Sequence, residues 1–267
     1  MEKIGLIAGN RKFPLIFAQA AKNKGCYIAA IAIKGDTSFR LKRLADKTYW
    51  LGLSEFSKMF EIFKKEGISK VVMAGQISPQ RLFSKEVGKD KLLKEMLLGL
   101  KDKRADTIFG AIAGKLKEEG FELIDSTTYL GDYLPKKGTL TKRAPSFDEW
   151  EDIYFGLEIA KVIGYLDIGQ TVAVKHKAIV AVEALEGTDN LIKRAGRITR
   201  GGFTMVKVSK PMQDRRFDIP VVGFNTLKNI AGSGGRCLAI ESEKTLFIDR
   251  EQSIAFADKK GIAVVSV

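Results

Sequence analysis

Lys3-Ile4-Gly5-Leu6-Ile7-Ala8-Gly9-Asn10-Arg11-Lys12 opens the chain with a short apolar run that stops at a glycine turn. Such a run, bounded by a turn, reads as a buried strand. Phe13-Pro14-Leu15-Ile16-Phe17-Ala18-Gln19-Ala20-Ala21 follows at once with helical spacing. The same sequence of signals then recurs. Tyr27 to Ile33 is a second buried strand and Thr48-Tyr49-Trp50-Leu51 a third. Ser54 caps a helix with Phe56, Met59, Phe60 and Phe63 on one face, and Lys70-Val71-Val72-Met73-Ala74 is a strand ending in Gly75-Gln76. Strand, helix, strand in this rhythm predicts a parallel sheet covered by helices.

The fold expected is therefore α/β, with an N-terminal Rossmann-like parallel-sheet domain over residues 1–132. Ligands on such sheets bind beyond the carboxyl ends of the strands, which points to Gly9-Asn10 and Gly75-Gln76. Asp90 to Lys101 reads as an amphipathic helix covering the core, and Asp106-Thr107 introduces another, Ile108 to Glu118. Residues 133–164 read as a linker, around Asp132 to Gly138, and a bridging helix from Phe147 to Gly164.

The second domain, 165–267, mixes its signals. Thr171 to Val174 and Ala178 to Ala184 are separated only by Lys175-His176-Lys177, a hairpin spacing. Further strands are expected at Phe203 to Val208, Cys237 to Ile240, Thr245 to Ile248 and Ala263 to Val267, with helices from about Asp189, Asn225 and Arg250. Antiparallel pairing within an α/β pattern predicts a mixed sheet. Two such domains place the expected active site in the cleft between them.

Composition narrows the function. The chain has 267 residues, 45% of them hydrophobic, enough for two ordinary cores. No apolar run approaches the roughly 20 residues of a membrane span, and no signal peptide is evident, so a cytoplasmic protein is expected. Cys26 and Cys237, far apart in sequence, suit buried thiols in a reducing compartment. A net charge of +13 suits an anionic partner: nucleic acid, anionic lipid or a nucleotide-type substrate. The basic residues are dispersed, and neither zinc-finger spacing nor an aromatic RNA-binding signature is present, so no nucleic acid is expected.

Two acidic turns carry the chemistry. Lys210-Pro211-Met212-Gln213-Asp214-Arg215-Arg216-Phe217-Asp218-Ile219-Pro220 leaves a strand-like run with two carboxylates and two guanidinium groups between prolines. Glu183-Ala184-Leu185-Glu186-Gly187-Thr188-Asp189 ends a neighbouring strand and opens a helix. Thr188 or Asp189 would serve as its N-cap, with backbone N–H groups available to a phosphate. Carboxylates beside arginines suit a divalent metal and a phosphate. Gly5-Leu6-Ile7-Ala8-Gly9-Asn10 lacks the further glycines of a dinucleotide fingerprint. His176, the single histidine, lies in a hairpin turn, so proton chemistry falls to Asp, Glu, Lys or Tyr.

Together these blocks resemble the LpxI family of UDP-2,3-diacylglucosamine pyrophosphatases. The resemblance rests on Gly5 to Asn10 with Pro14, Ala74-Gly75-Gln76, Leu166-Asp167-Ile168-Gly169-Gln170, Val182 to Asp189, Lys210-Pro211, and Gln213 to Pro220 with Gly223. Arg11-Lys12, where small residues are expected, and Val221-Val222 depart from the pattern. The resemblance implies hydrolysis of a UDP-sugar lipid to UMP and lipid X in lipid A synthesis. It further implies Mg²⁺ or a similar divalent metal, and peripheral contact with the inner membrane.

On that reading Asp218, Asp214 and Arg216 are the catalytic candidates, with Arg216 on phosphate and Arg215 facing solvent. Glu183, Asp189 and Asp218 are the metal candidates. Gly9, Asn10, Gly75, Gln76, Gln170, Gly187, Thr188, Lys210 and Gln213 are the substrate-binding candidates. The partners expected are a UDP-diacylated amino-sugar lipid, an anionic inner-membrane surface and a second copy of the chain. A UDP-sugar sensor without turnover, or a hydrolase of another UDP-sugar, is the competing reading.

Overall fold

A computed structural model describes residues 1–76, 86–102 and 104–267. The chain divides into two compact units. One comprises Met1–Gly131 together with Asp214–Asp218, the other Asp132–Gln213 together with Ile219–Val267.

The first unit is a five-stranded parallel sheet in the order β3-β2-β1-β4-β5. Its strands are β1 (Lys3–Ala8), β2 (Tyr27–Ile33), β3 (Lys47–Leu51), β4 (Lys70–Ala74) and β5 (Glu122–Leu123). β1 and β2 are buried almost from end to end, because a parallel sheet is covered on both faces. That is why their sequences read as unbroken apolar runs. Helix α1 (Phe13–Asn23), started by Pro14, packs on β1, β2 and β4. The helices α2 (Lys58–Glu66), α3 (Lys91–Leu98) and α4 (Ala105–Glu118) belong to the other core, around Ile31, Phe63, Val71, Leu93, Ile112 and Leu116.

One local expectation changes here. Ser54 lies in a short 3₁₀ turn, and α2 begins only at Lys58 after Ser57. Asp90 instead supplies a side-chain cap, accepting from Leu93 N at 2.9 Å, and its other oxygen accepts from Ser57 N and Oγ. The face of α3 bearing Leu93 and Leu97 covers the core as expected.

The second unit holds a six-stranded mixed sheet, β6-β13-β11-β9-β7-β8, and a parallel pair, β10 (Val221–Val222) with β12 (Leu246–Phe247). β9 (Thr204–Lys207), β11 (Cys237–Ile240) and β13 (Ala263–Ser266) run parallel. β7 (Thr171–Lys175) and β8 (Ala178–Val182) form the expected antiparallel hairpin, with β7 antiparallel to β9. β6 (Gly138–Thr139) closes the far edge antiparallel to β13, so the segment read as linker contributes a strand.

Helix α5 (Phe147–Tyr165) opens with a capping box between Ser146 and Glu149. Read from sequence as a bridge, it lies on β7 and β9 and belongs to the second unit. The contact is close: a β-carbon on Gly156 would stand 2.7 Å from Val206. The opposite sheet face buries Leu191 and Ile192 of α6 (Thr188–Thr199), Leu227 and Ile230 of α7 (Phe224–Gly232) and Ala257 of α8 (Arg250–Lys260).

Candidate functional site

In the first unit β1 and β4 are neighbours, while β2 and β3 extend to one side and β5 to the other. The strand order therefore reverses between β1 and β4, the place where parallel sheets of this kind open a crevice for ligands. The turns beyond their carboxyl ends are Gly9-Asn10 and Gly75-Gln76. They interlock: Gly9 N donates to Ala74 O at 2.8 Å and Asn10 N to Gln76 O at 2.7 Å. A β-carbon on Gly75, which has φ +83°, would lie 2.5 Å from the Asn10 carbonyl, and one on Gly9 would run into the Gln76 carbonyl. Only glycine permits that approach. The Asn10 side-chain oxygen is buried with no hydrogen-bond partner among the described residues.

The segment Asp214–Asp218 packs with this first unit although it lies far along the chain. The Arg215 carbonyl accepts from Ser126 N at 3.1 Å and Ser126 Oγ at 2.7 Å. The Arg215 guanidinium reaches Thr127 Oγ1 at 2.9 Å, and its Nε lies 3.1 Å from Asp125 Oδ2. Phe217 stacks obliquely on Phe109 at 5.8 Å. Arg215, expected to face solvent, is thus the anchor of the segment; its partners Asp125, Ser126 and Thr127 carry no motif of their own.

Within the segment, Asp218 N donates to Asp214 O at 2.9 Å, which keeps both carboxylates on one turn. Asp214 accepts from Arg216 N at 3.1 Å and Arg216 Nη2 at 2.6 Å. This hydrogen bonding by Arg216 holds the Asp214 carboxyl below its usual range, and the same pair raises the guanidinium. Arg216 is exposed, so a phosphate could share it with Asp214.

In the second unit the candidates gather at one edge of the mixed sheet, where β7 starts and β8 and β9 end. Glu183 is buried and accepts from Thr188 Oγ1 at 2.5 Å and from Gln170 N at 3.4 Å. Gln170 Oε1 accepts from Gln213 Nε2 at 3.3 Å, and Gln213 Oε1 accepts from Lys210 N at 2.8 Å and Ser209 Oγ at 2.6 Å. Thr188, Glu183, Gln170, Gln213 and Lys210 are therefore one connected network. A β-carbon on Gly169 would run into the Glu183 carbonyl, so that glycine lets the two turns meet.

A member that the motifs did not single out is Lys207. Its buried ammonium donates to Thr188 Oγ1 at 2.8 Å and Thr171 Oγ1 at 3.3 Å, and lies 3.9 Å from Glu183 Oε2. A lone charge in the strand-like run Phe203 to Val208, whose only other polar residue is Thr204, was the signal for it. Burial pushes the Glu183 carboxyl up, but Lys207 and the surrounding hydrogen bonds outweigh this and leave it below its usual range. Helix α6 is N-capped by Gly187, φ +77°, and not by Thr188 or Asp189; Asp189 accepts from Asn229 Nδ2 at 2.8 Å.

Two regions of the chain match family domains: residues 3–133 the LpxI N-terminal domain, and residues 136–265 the LpxI C-terminal domain. The chain belongs to the LpxI family. A curated relative, the UDP-2,3-diacylglucosamine pyrophosphatase LpxI of Caulobacter vibrioides, is 31% identical over 277 residues, covering 100% of this chain and 98% of the relative. Among solved structures, the biotin carboxylase domain of a thermophilic 2-oxoglutarate carboxylase shares 15% identity at a TM-score of 0.29, over 77% of this chain and 44% of that one. A glycinamide-RNase-transformylase T from Mycobacterium tuberculosis shares 10% at 0.26, over 52% and 38%. The chain spans less than half the length of those two structures.

Among the described residues no three His, Cys, Asp or Glu side chains converge into a metal cage. Glu183 already faces Lys207, and Asp189 an amide. A hard divalent ion such as Mg²⁺ needs only one or two protein carboxylates when phosphate oxygens and water complete its shell. Asp218 and Asp214 share one turn, where Asp214 already accepts from Arg216.

Proposed function

We propose that this LpxI-family chain hydrolyses the pyrophosphate bond of UDP-2,3-diacylglucosamine, giving UMP and 2,3-diacylglucosamine 1-phosphate for lipid A synthesis. The full-length 31% identity to the C. vibrioides pyrophosphatase carries this reading. The hard oxygen donors and guanidinium groups of the 214–218 turn support it chemically.

The pyrophosphate diester carries two negative charges, and its transition state spreads charge over phosphoryl oxygens. Arg216 would meet that charge by exchanging one of its hydrogen bonds to Asp214 for one to phosphate. Asp218, with Asp214 beside it, would hold Mg²⁺ or orient the attacking water. The ion, when bound, supplies charge neutralisation and a more acidic water. Asn10 would accept from an N–H or O–H of the nucleoside or sugar, with Gly9, Gly75 and Gln76 forming the wall. In the second unit Lys207 would keep Thr188 and Glu183 oriented within the network of Gln170, Gln213 and Lys210.

The deciding test is UMP release from UDP-2,3-diacylglucosamine with Mg²⁺ and with chelator, for the native chain and Asp218→Ala. Metal-dependent release, reduced by at least about a thousandfold in the variant, is expected. Absence of release by the folded native chain would sink the pyrophosphatase reading; near-native turnover by Asp218→Ala would sink the role of that carboxylate.

A further inference from the structure

Ser209 lies just past the end of β9, and both of its main-chain groups are taken by one ion pair. Its N–H donates to Glu241 Oε2 at 3.0 Å, and its carbonyl accepts from Lys161 Nζ at 2.9 Å. Lys161 Nζ also donates to that same Glu241 oxygen at 2.5 Å, which closes a ring of ammonium, carboxylate and peptide. The second Glu241 oxygen accepts from Lys244 Nζ at 2.6 Å. Burial pushes the Glu241 carboxyl up, but the bonds from Lys161, Lys244 and Ser209 outweigh this and hold it below its usual range. Neither Lys161 nor Glu241 belongs to the motifs read from sequence.

Topology brings the three together. β9 and β11 are parallel neighbours with Lys207 opposite Ile240, so Ser209 and Glu241 leave the sheet at the same edge. Lys161 stands near the end of α5, which lies on β9. Val208 N still bonds Gln170 O at 3.0 Å; beyond it the backbone groups of Ser209 take side-chain partners instead.

Ser209 passes this order on. Its hydroxyl donates to Gln213 Oε1 at 2.6 Å, the oxygen that also accepts from Lys210 N at 2.8 Å. With that oxygen doubly engaged, the amide turns its NH₂ end to Gln170, and Nε2 donates to Gln170 Oε1 at 3.3 Å. Helix α5 is already held by Ile153, Ala160 and Ile163 in the core, so fixing the helix does not require the pair.

We propose that Lys161 and Glu241 are positioning residues: by clamping Ser209 they fix Lys210 and Gln213 in the arrangement that receives substrate. This rests on the pyrophosphatase reading above, with Lys210 and Gln213 as substrate-binding candidates. Loosening the clamp leaves every candidate side chain in place chemically and costs only its order, so the loss falls on binding.

The test compares the native chain with Glu241→Ala, Lys161→Met and Lys161→Arg, first without substrate. Amide exchange followed by NMR reads the Lys210 N–H, which donates to Gln213 and to neither member of the pair, against the Ala239 N–H inside β11. In Glu241→Ala and Lys161→Met the Lys210 N–H exchanges at least about tenfold faster while Ala239 is unchanged, and either variant that folds suffices. Lys161→Arg, whose guanidinium can donate to both acceptors, keeps native protection. With UDP-2,3-diacylglucosamine the two disrupting variants raise KM at least about tenfold, with kcat within about threefold of native, and Lys161→Arg restores KM. Unchanged Lys210 exchange overturns the clamp, as does a Lys161→Arg variant as impaired as Lys161→Met. Faster exchange with native KM, or a loss confined to kcat, overturns its part in substrate binding. Absence of UMP release by the native chain sinks the pyrophosphatase reading separately, and the exchange measurement still decides the clamp.

Discussion

Ser126 gives both of its donors, the backbone N–H and the hydroxyl, to the single main-chain carbonyl of Arg215. The hydroxyl is fully buried, so the bond is not exchangeable for water. Ser126→Ala removes one donor and keeps the other, and is expected to cost about 1–2 kcal/mol of stability. Because that bond helps position the Asp214–Asp218 turn, activity should fall by about tenfold or more at temperatures where the variant is fully folded. A thermal melt with a kcat determination separates the two effects; unchanged kcat would deny the turn its dependence on Ser126.

Glu183 and Lys207 are buried together, and removing one charge strands the other. Glu183→Gln is expected to destabilise by about 3–5 kcal/mol, whereas Glu183→Gln with Lys207→Met should cost less than the sum of the two single changes. A double-mutant cycle in urea measures the coupling; strict additivity would mean the pair does not interact.

Glu66 predicts an acid limit to stability. The hydroxyls of Tyr49 and Tyr27, at 2.6 and 2.7 Å, and the Lys47 ammonium at 3.0 Å lower its pKa from 4.5 to about 2. A depressed carboxylate binds fewer protons folded than unfolded, so its stabilisation is complete above about pH 4.5 and is lost as pH falls towards 2. Glu66→Gln should flatten the loss of melting temperature across that window. An unchanged slope would place the acid sensitivity elsewhere.

The β7–β8 turn holds His176 and Lys177 at φ +52° and +56°, both unfavourable for side chains with a β-carbon. Lys177 N donates to the buried Asp152 at 2.7 Å, a bond any residue would keep. His176→Asn with Lys177→Gly should raise stability by about 1 kcal/mol, the gain expected where a hairpin turn receives residues suited to positive φ. Chemical denaturation tests this, with an unchanged or lower midpoint counting against it.

Much of the fold was legible because burial writes itself as apolar runs. β1, β2, β4 and β11 lie where the sequence places them, and the hairpin around His176 follows from its spacing. Pieces of only two residues, such as β6 and β10, are too short to leave such a trace. The polar residues of the candidate site were nameable, but their partners were not. Ser126 and Thr127 act through contacts formed across 88 or 89 positions of sequence, and no local pattern announces those. Lys207 was visible only as the lone charge in a strand-like run.

The assignment of Asp214–Asp218 to the first unit has a consequence for how the protein is made. Emerging from the ribosome, the N-terminal sheet can assemble early. Its Ser126 and Phe109 contacts must wait until more than eighty further residues have been synthesised. The turn is consequently placed late, after most of the second sheet's strands exist, and a nascent chain halted before Asp214 would be folded only in part. A gene cut between the two halves should behave likewise, yielding an N-terminal fragment that regains its missing turn only when the other fragment is supplied.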